Sequence, residues 1–308
     1  MRFGINLSNS GPYAAPERFE QLAARAEALG LDSVWVSDHV VMPTEWSSVY
    51  PYGPPGTFTL ESSRNYFEPL ITMAWIAGAT QRVRFGVSVL VVPYRNPVLA
   101  AKQLATLDAL SGGRLVLGIG VGWLQEEFEA LGQPYFRERG ALTDEYIRLY
   151  RALWSGEPTE FQGRFYQLRP VQALPRPAQQ PGPPVWVGGH SARALRRTVE
   201  LGDAWAAIRI SAEDFKRGGE RLRELAAERG RPAPELTTRC NLSLGPSSPG
   251  ANDYELFTGD PGAAAATLDR YAAAGCAEVV FDLFPRDSTD GMLESIERFD
   301  REIRPLLS

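Results

Sequence analysis

Cysteine and histidine are both scarce in this chain, with two residues of each type among 308. Cys240 and Cys276 form no CxxC pair, and the cysteines and histidines lack the spacing of a zinc site. We therefore predict that the chain binds no metal. Both thiols are expected to be reduced core residues, as is usual in the cytoplasm.

Positive charge and long apolar runs are also in short supply. The formal net charge of -5 argues against a nucleic-acid partner, because such binding depends on clustered lysine and arginine. No stretch approaches the ~20 apolar residues of a membrane span, and the first residues lack the apolar segment of a signal peptide. The expectation is a soluble, cytoplasmic protein that contacts neither nucleic acid nor membrane.

Strand-like and helix-like stretches alternate along the chain. Apolar runs predict eight strands, over 2–6, 33–39, 83–92, 114–122, 184–189, 204–209, 236–244 and 278–284. Helices are predicted over 16–30, 97–113, 137–155, 191–202, 212–229, 260–275 and 288–305. This alternation predicts an α/β fold, a (β/α)8 TIM barrel that forms one domain over residues 1–308. An open doubly wound sheet is the alternative.

Two long insertions interrupt the alternation, at about 43–65 after the second strand and about 156–184 before the fifth. Loops of this length inside a compact barrel are usually lids or binding loops. The first insertion carries aromatic residues that could close over a ligand, at Trp46, Tyr50, Tyr52 and Phe58. A tolerated surface loop is the alternative, and it suits the proline-rich second insertion better.

Both histidines follow apolar runs, at the points where predicted strands end. In a (β/α)8 barrel the chemistry takes place at the carboxyl ends of the strands. Strand alternation places Trp35, Ser37 and His39 on the inward face of the second strand. A histidine there can exchange a proton near neutral pH, with Asp38 beside it. The alternative is a structural histidine, hydrogen-bonded to Asp38 or to the backbone.

Glycine replaces side chains along one face of the fourth strand, at Gly118, Gly120 and Gly122. Glycine weakens a strand, so this spacing suggests that something large and flat approaches the backbone. A tight barrel interior is the alternative explanation. Trp123 stands where a dinucleotide-binding G-x-G-x-x-G motif has its third glycine, so we reject a Rossmann fold.

The stretch "VWVGGHSAR" joins the fifth predicted strand to a helix. Ser191 is a suitable N-cap, and Gly188 and Gly189 allow backbone N–H groups to face an anion. A phosphate at this position would meet the positive end of the helix dipole. A simple capped turn is the alternative.

Several stretches together resemble the bacterial luciferase-like flavin oxidoreductases, in particular their F420-dependent branch. They are "FGINL", "AEALGLDSVWVSDHV", "VLVVPYRNPVLAAKQLATLDALSGGRLVLGIGVGWLQEEFEALG" and "PVWVGGHSARALRRTVELGDAW". The resemblance implies a (β/α)8 barrel with a flavin or deazaflavin ring in its mouth and a phosphate pocket after the fifth strand. It also implies a homodimer or larger oligomer.

Site residues follow from the resemblance by position. Asp38 and His39 correspond to the pair beside the ring in F420 enzymes, where the histidine is a proton donor. The resemblance places a non-prolyl cis peptide at Ser88–Val89, behind the ring. The cofactor contacts that it implies are Asp38, Ser88, Val89, Gly120, Gly122, Gly188, Gly189, Ser191 and Ala192.

One residue departs from part of the family. The sugar-phosphate dehydrogenases among these enzymes have a glutamate where this chain has Trp123. The substitution argues against a sugar phosphate and suggests an aromatic or apolar wall for the substrate. The pocket is therefore expected to contain Trp46, Tyr50 and Trp123.

The leading hypothesis is an oxidoreductase that transfers a hydride between F420 and a small organic substrate, with His39 and Asp38 as catalytic residues. One alternative is an FMN-dependent two-component monooxygenase, which uses reduced flavin from a partner reductase and O2. A second alternative is a flavin-binding protein without turnover. A flavin or F420 reductase is accordingly an expected partner.

Overall fold

The computed structural model describes residues 1–52, 65–247 and 250–308. Eight parallel strands close into a barrel, because the last of them pairs with the first and the sixth pairs with the seventh. The strands of the described residues are β1 (Arg2–Asn6), β2 (Ser33–Val36), β3 (Arg84–Val91), β4 (Leu115–Gly120), β5 (Thr159–Gln162), β6 (Gln167–Val171), β7 (Val185–Gly188), β8 (Ala204–Ile208), β9 (Glu235–Ser243), β10 (Glu255–Phe257) and β11 (Cys276–Phe284). The barrel consists of β1–β4, β7–β9 and β11, and the TIM-barrel prediction is confirmed.

Helices follow the barrel strands and begin at recognisable signals. They are α1 (Pro16–Ala28), α2 (Pro69–Ala79), α3 (Pro97–Leu110), α4 (Gln125–Ala130), α5 (Arg139–Trp154), α6 (Ala192–Leu201), α7 (Ala212–Glu228), α8 (Pro261–Ala273) and α9 (Thr289–Arg298). Asn96 caps α3 by accepting hydrogen bonds from two backbone N–H groups, and Pro97 occupies the first helical position. Ser211, Asp260 and Ser288 cap later helices in the same way.

The strands bury two different faces. Val34 and Val36 lie in the core between the barrel and the helices, as strand alternation predicts. The interior of the barrel holds Trp35, Val116, Trp186, Ala204 and Val280. The rings of Trp35 and Trp186 are 4.8 Å apart between centroids. These large rings fill the lower interior, so the space for a ligand lies above them, at the carboxyl ends of the strands.

A buried carboxylate occupies the amino end of the barrel. Glu278 accepts hydrogen bonds from Arg2 at 3.0 Å, from Arg84 and from Ser33. Three donors around one carboxylate offset the cost of its burial. This network therefore stabilises the amino end of the barrel, whereas catalysis in such folds takes place at the carboxyl end.

Six elements differ from the sequence-based expectations. The strand expected over 33–39 ends at Val36, so Ser37, Asp38 and His39 form the start of a loop. Helices α2 and α4 were not predicted, and the insertion at 156–184 contains the antiparallel hairpin β5–β6. Short β10 adds to the edge of β9.

Cys240 and Cys276 are both buried and unpaired, which confirms that they are core residues. Across residues 1–52, 65–247 and 250–308, the helices are all too short or too polar to cross a membrane. Over the same residues, His, Cys, Asp and Glu form no group that could hold a metal ion.

Candidate active site

The loop after β2 is tied to the loop after β1. Asn9 donates from Nδ2 to the Ser37 carbonyl at 2.9 Å, and its Oδ1 accepts from the Ser37 N–H at 2.8 Å. This reciprocal pair fixes the backbone where β2 ends. His39 follows two residues later and is buried, with 7% of its surface exposed.

Asp38 connects the ends of β2 and β3. Its Oδ2 accepts hydrogen bonds from Arg95 Nη1 at 2.7 Å and from the Val91 N–H at 2.8 Å, and its Oδ1 accepts from Arg95 Nη2 at 2.9 Å. Burial raises the pKa of Asp38, while the Arg95 charge and these hydrogen bonds oppose the rise. This bidentate pair holds the backbone that carries His39.

The carboxylate that contacts His39 comes from a different element. His39 Nδ1 lies 2.6 Å from Oε2 of Glu127, a fully buried residue of α4. Sequence reasoning did not find Glu127, because "LQEEFEALG" has the charge density of a solvated helix. Helical spacing was the available signal, since Leu124 and Leu131 lie three residues before and four after Glu127, on the same face.

The peptide bond between Ser88 and Val89 is cis, as predicted. Val89 also explains two of the glycines. A Cβ atom on Gly120 would lie 2.4 Å from Val89 Cγ2, and one on Gly188 would lie 2.9 Å from Val89 Cγ1. These glycines therefore make room for a neighbouring side chain, as the tight-interior alternative proposed. Contact of Gly120 with a bound ring stays a prediction.

Gly122 has a positive φ of 81°, and a Cβ there would lie 2.7 Å from the Phe128 ring. This glycine therefore lets α4 pack closely against the end of β4. Packing alone, without any ligand, thus accounts for glycine at both predicted site residues at the end of β4, Gly120 and Gly122.

Arg239 crosses the barrel interior from β9. Its Nη1 donates to the Ser88 carbonyl at 2.9 Å, and its Nη2 donates to Asp282 on β11. Arg239 and Arg286 hold the pKa of Asp282 below its usual value, against the effect of burial. The mouth thus contains a paired cation directly beside Ser88.

Aromatic rings connect the two histidines across the mouth. We call the following six residues the aromatic belt: Tyr66, His39, Trp123, Tyr50, Tyr52 and His190. Centroids of successive rings lie 5.2, 6.3, 5.3, 5.6 and 5.5 Å apart, all in edge-to-face contact. The structure therefore brings Tyr50 and Trp123, two of the three residues expected in the substrate pocket, into contact with each other and with the predicted catalytic residue His39. Trp46 is half-buried in the same loop, and Phe58 lies outside the described residues.

The turn between β7 and α6 has the expected form. Gly189 has a positive φ of 110°, and the Ser191 hydroxyl caps α6 by accepting from the Ala194 N–H at 3.2 Å. Ala192 is the first residue of α6. A glycine backbone that leads into a capped helix N-terminus suits a phosphate, so these residues fit the phosphorylated cofactor that the resemblance implies.

His190 is neutral in this structure, because its Nε2 accepts a hydrogen bond from the Ile208 N–H at 3.2 Å. Burial lowers the pKa of His190, and Asp214 partly opposes the effect. Beside His190 a cavity of ≈ 640 Å³ opens toward α7, lined by His190, Arg209, Ile210, Ser211, Asp214, Ala251, Asn252, Asp253 and Tyr254.

The fold is a TIM barrel with a buried histidine at its mouth, and comparison with known families identifies which kind of barrel it is. A family model described as luciferase-like monooxygenase matches residues 1–254. The chain belongs to this family and is a luciferase-like oxidoreductase.

Relatives with both cofactor chemistries are found. An uncharacterised protein of Mycobacterium tuberculosis is 36% identical over 69% of this chain and 73% of its own length. An F420-dependent glucose-6-phosphate dehydrogenase of Kineococcus radiotolerans is 35% identical over 65% of this chain and 55% of its own length. An FMNH2-dependent dimethylsulfone monooxygenase of Pseudomonas putida is 32% identical over 54% and 46%.

A solved structure gives the same fold. An F420-dependent secondary alcohol dehydrogenase, in complex with an F420–acetone adduct, covers 100% of this chain and 99% of its own with a TM-score of 0.79. At 19% identity this likeness concerns the fold alone.

Proposed function

We propose that this protein is an F420-dependent oxidoreductase that transfers a hydride between a deazaflavin coenzyme and a small organic substrate. The observation that carries the proposal is a buried histidine at the barrel mouth, His39, whose Nδ1 is held by a buried carboxylate. Hydride transfer to a carbonyl requires that a proton be added to its oxygen, and hydride transfer from an alcohol requires that the hydroxyl proton be removed. A histidine can exchange this proton near neutral pH. The F420-dependent relative at 35% identity supports the same reading.

The cofactor would supply the hydride chemistry, and the chain would bind and orient it. Ser88, Val89, Gly120 and Gly122 would hold the ring beside Asp38 and His39. The phosphate would be held by Gly188, Gly189, Ser191 and Ala192, where the helix dipole favours an anion.

The chain's own residues would then act on the substrate. His39 would exchange the proton, and Asp38, bonded to Arg95, would keep the backbone of His39 in place. Trp46, Tyr50 and Trp123 would form the substrate pocket. Because Trp123 offers an indole face and no carboxylate, this pocket suits an aromatic or apolar substrate and excludes bulk water.

An FMN-dependent two-component monooxygenase is the second candidate. The FMNH2-dependent dimethylsulfone monooxygenase relative, at 32% identity, favours it. The two cofactors share ring shape and a ribityl phosphate, so the residues above would hold either. In this case a flavin reductase would be the partner. A flavin-binding protein without turnover is the third candidate.

We further propose a homodimer. Helix α2 has the sequence PLITMAWIAGA, without a single charge, and its Ile71 and Trp75 are 68% and 56% exposed. Leu99 on neighbouring α3 is exposed as well. Contiguous apolar surface of this kind is typical of an interface, and a second copy would bury it symmetrically.

A binding titration distinguishes the three candidates. The purified chain is titrated with F420 and, separately, with FMN, and each complex is then mixed with candidate alcohols, aldehydes and sulfones while the absorbance is followed. We expect tight binding of F420 and substrate-dependent bleaching. Binding of FMN alone would replace the first candidate by the second, and binding without bleaching over the whole panel would favour the third.

Substitution of His39 by alanine tests the proposed acid. Since general acid–base catalysis contributes about 10²- to 10⁴-fold, we expect His39→Ala to lower kcat by a factor in that range and to bind F420 nearly as well as the parent protein. The comparison variant is His190→Ala, at the other end of the aromatic belt. Unchanged kcat in His39→Ala, with intact near-ultraviolet circular dichroism, would remove His39 from the mechanism.

A further inference from the structure

The carboxylate of Glu127 is hydrogen-bonded on both oxygens. Oε1 accepts from the backbone N–H groups of Val40 at 2.6 Å and of Val41 at 3.2 Å. Oε2 lies 2.6 Å from His39 Nδ1 and 2.8 Å from the Tyr94 hydroxyl. Backbone N–H groups can only donate, so Oε1 acts as an acceptor twice and carries no proton.

The protons around Oε2 have one consistent arrangement. Burial and the neighbouring Glu127 charge raise the pKa of the Tyr94 hydroxyl. The hydroxyl therefore keeps its proton and donates a hydrogen bond to Oε2. Val40, Val41 and Tyr94 all donate to this carboxylate, so a hydrogen on either oxygen would compete with one of these donors. An ionised Glu127 needs a donor at the remaining short contact, so His39 Nδ1 carries a hydrogen, and Nε2 of the neutral ring does not.

We infer that Glu127 is a positioning residue, which fixes the tautomer and orientation of His39 and directs proton exchange to Nε2. In the oxidation direction the O–H bond and the adjacent C–H bond of an alcohol substrate would break and a C=O bond would form; the proton would go to Nε2, and the coenzyme would accept the hydride. Glu127 stabilises the imidazolium that results, because its charge lies 2.6 Å from Nδ1. The effect on turnover rests on the proposed function, whereas the tautomer follows from the contacts alone.

The adjacent acid does not serve this purpose. Both oxygens of Asp38 accept hydrogen bonds from Arg95. Glu127 belongs to α4, 88 residues further along the chain, so the position of His39 depends on how α4 packs at the end of β4. Gly122 permits that packing, since a Cβ there would meet Phe128 on α4 at 2.7 Å.

Nitrogen-15 NMR of the histidine rings tests the inference without any cofactor. The chain has two histidines, so a protein labelled only in histidine gives a short spectrum, and His190→Asn assigns the signals. We expect neutral His39 to show a protonated Nδ1 and an unprotonated Nε2. A neutral His39 with a protonated Nε2 and an unprotonated Nδ1 in the unsubstituted protein would overturn the inference, whatever the variants do.

Two glutamine substitutions on α4 then test the cause. Glu127→Gln removes the charge but keeps the size of the side chain, whereas Glu129→Gln alters an exposed residue on the same helix. We expect Glu127→Gln to shift His39 toward the Nε2–H tautomer, to lower kcat by about 10²- to 10⁴-fold, and to leave KM and F420 affinity within a factor of two. Glu129→Gln should change none of these.

Failures of the two proposals are distinguishable. An unchanged His39 tautomer in folded Glu127→Gln would contradict the positioning role. Tyr94→Phe offers a second variant if Glu127→Gln does not fold; it keeps the carboxylate, so the Nδ1–H tautomer should persist, and its loss would also contradict the inference. A correct tautomer in a protein that neither binds F420 nor turns over any substrate would count against the proposed function alone.

Discussion

Close contacts with neighbouring strands and side chains decide where the barrel strands require glycine. Gly118 on β4 is the tightest case, since a Cβ atom there would lie 2.1 Å from the Val87 carbonyl oxygen on β3. That contact is with backbone, which cannot rotate away. The glycine is therefore required for the pairing of β3 with β4, on which the positions of Ser88 and Gly120 depend.

We expect Gly118→Ala to destabilise the protein by about 1–3 kcal/mol or more, because overpacking forces the two strands apart. Urea unfolding followed by circular dichroism measures this change. Gly262→Ala is the matched control, since Gly262 lies exposed at the start of α8 with nothing near its Cβ. It should stabilise the chain by about 0.4–1 kcal/mol. Equal stability of the two variants would contradict the steric argument.

The position of His39 at the barrel mouth could be predicted because the end of a strand can be recognised from neighbouring residues in the sequence. Glu127 could not be found in the same way, since its contact with His39 joins residues 88 apart and depends on the packing of α4. The Val89 side chain leaves no room for a Cβ atom on Gly120 or Gly188, and this contact could not be predicted because it depends on the three-dimensional register of β3, β4 and β7. Contacts within an element were therefore predictable, and contacts between elements were not.

At the scale of whole elements, all eight barrel strands were predicted within three residues at each end, because β-branched and apolar runs flanked by glycine and proline are distinctive. Helix α2 was missed for a physical reason. It is apolar on both faces and carries no charge, so the one-sided periodicity that indicates a surface helix is absent. The hairpin β5–β6 is polar and mostly exposed, which removes the alternation expected of a strand.

Helix α4 holds the loop after β2 at two points. Glu127 accepts from the Val40 and Val41 N–H groups, and Glu126 accepts from the backbone and hydroxyl groups of Ser47 and Ser48. Tyr50 and Tyr52 follow in the same loop and complete the aromatic belt. Two successive carboxylates on one short helix thus set the position of the loop over the mouth.

The pH dependence of this attachment follows from Glu126. Hydrogen bonds from Ser48 and Ser47 outweigh burial and lower the pKa of Glu126 from 4.5 to about 2. A lowered pKa contributes stability above the ordinary value and loses it as the pH falls through the folded value. We expect Glu126→Gln to cost about 1 kcal/mol near neutral pH, with the difference from the parent shrinking between pH 4.5 and about 2.

Urea unfolding at a series of pH values checks this prediction. Glu129→Gln is again the control, because Glu129 is exposed and its carboxylate accepts a hydrogen bond from Gln125 on the same helix. A difference between Glu126→Gln and the parent that stays constant down to about pH 3, below the ordinary carboxyl pKa, would show that the loop does not depend on this charge.

At the scale of the whole molecule, the exposed apolar side chains of the uncharged helix α2 favour contact with a second copy. We expect Trp75→Glu to convert the proposed dimer to a monomer, because a charge at the centre of an apolar interface cannot be desolvated without a partner. Light scattering coupled to gel filtration measures the mass. Tyr13→Glu alters an exposed aromatic residue that does not belong to α2 and should leave the mass unchanged. A monomeric parent protein would refute the dimer.

Arg239 connects two barrel strands, β9 and β3, that are not neighbours in the sheet. Three strands separate β9 from β3 in either direction around the barrel, yet one guanidinium bridges them at Ser88. Through this contact, a shift of β9 can reach Ser88 on β3 directly across the barrel interior, without passing through the strands between them. The final third of the chain therefore helps to position Ser88, which we propose lies behind the cofactor ring, so substitutions of Arg239 offer a way to alter that position from a distant strand.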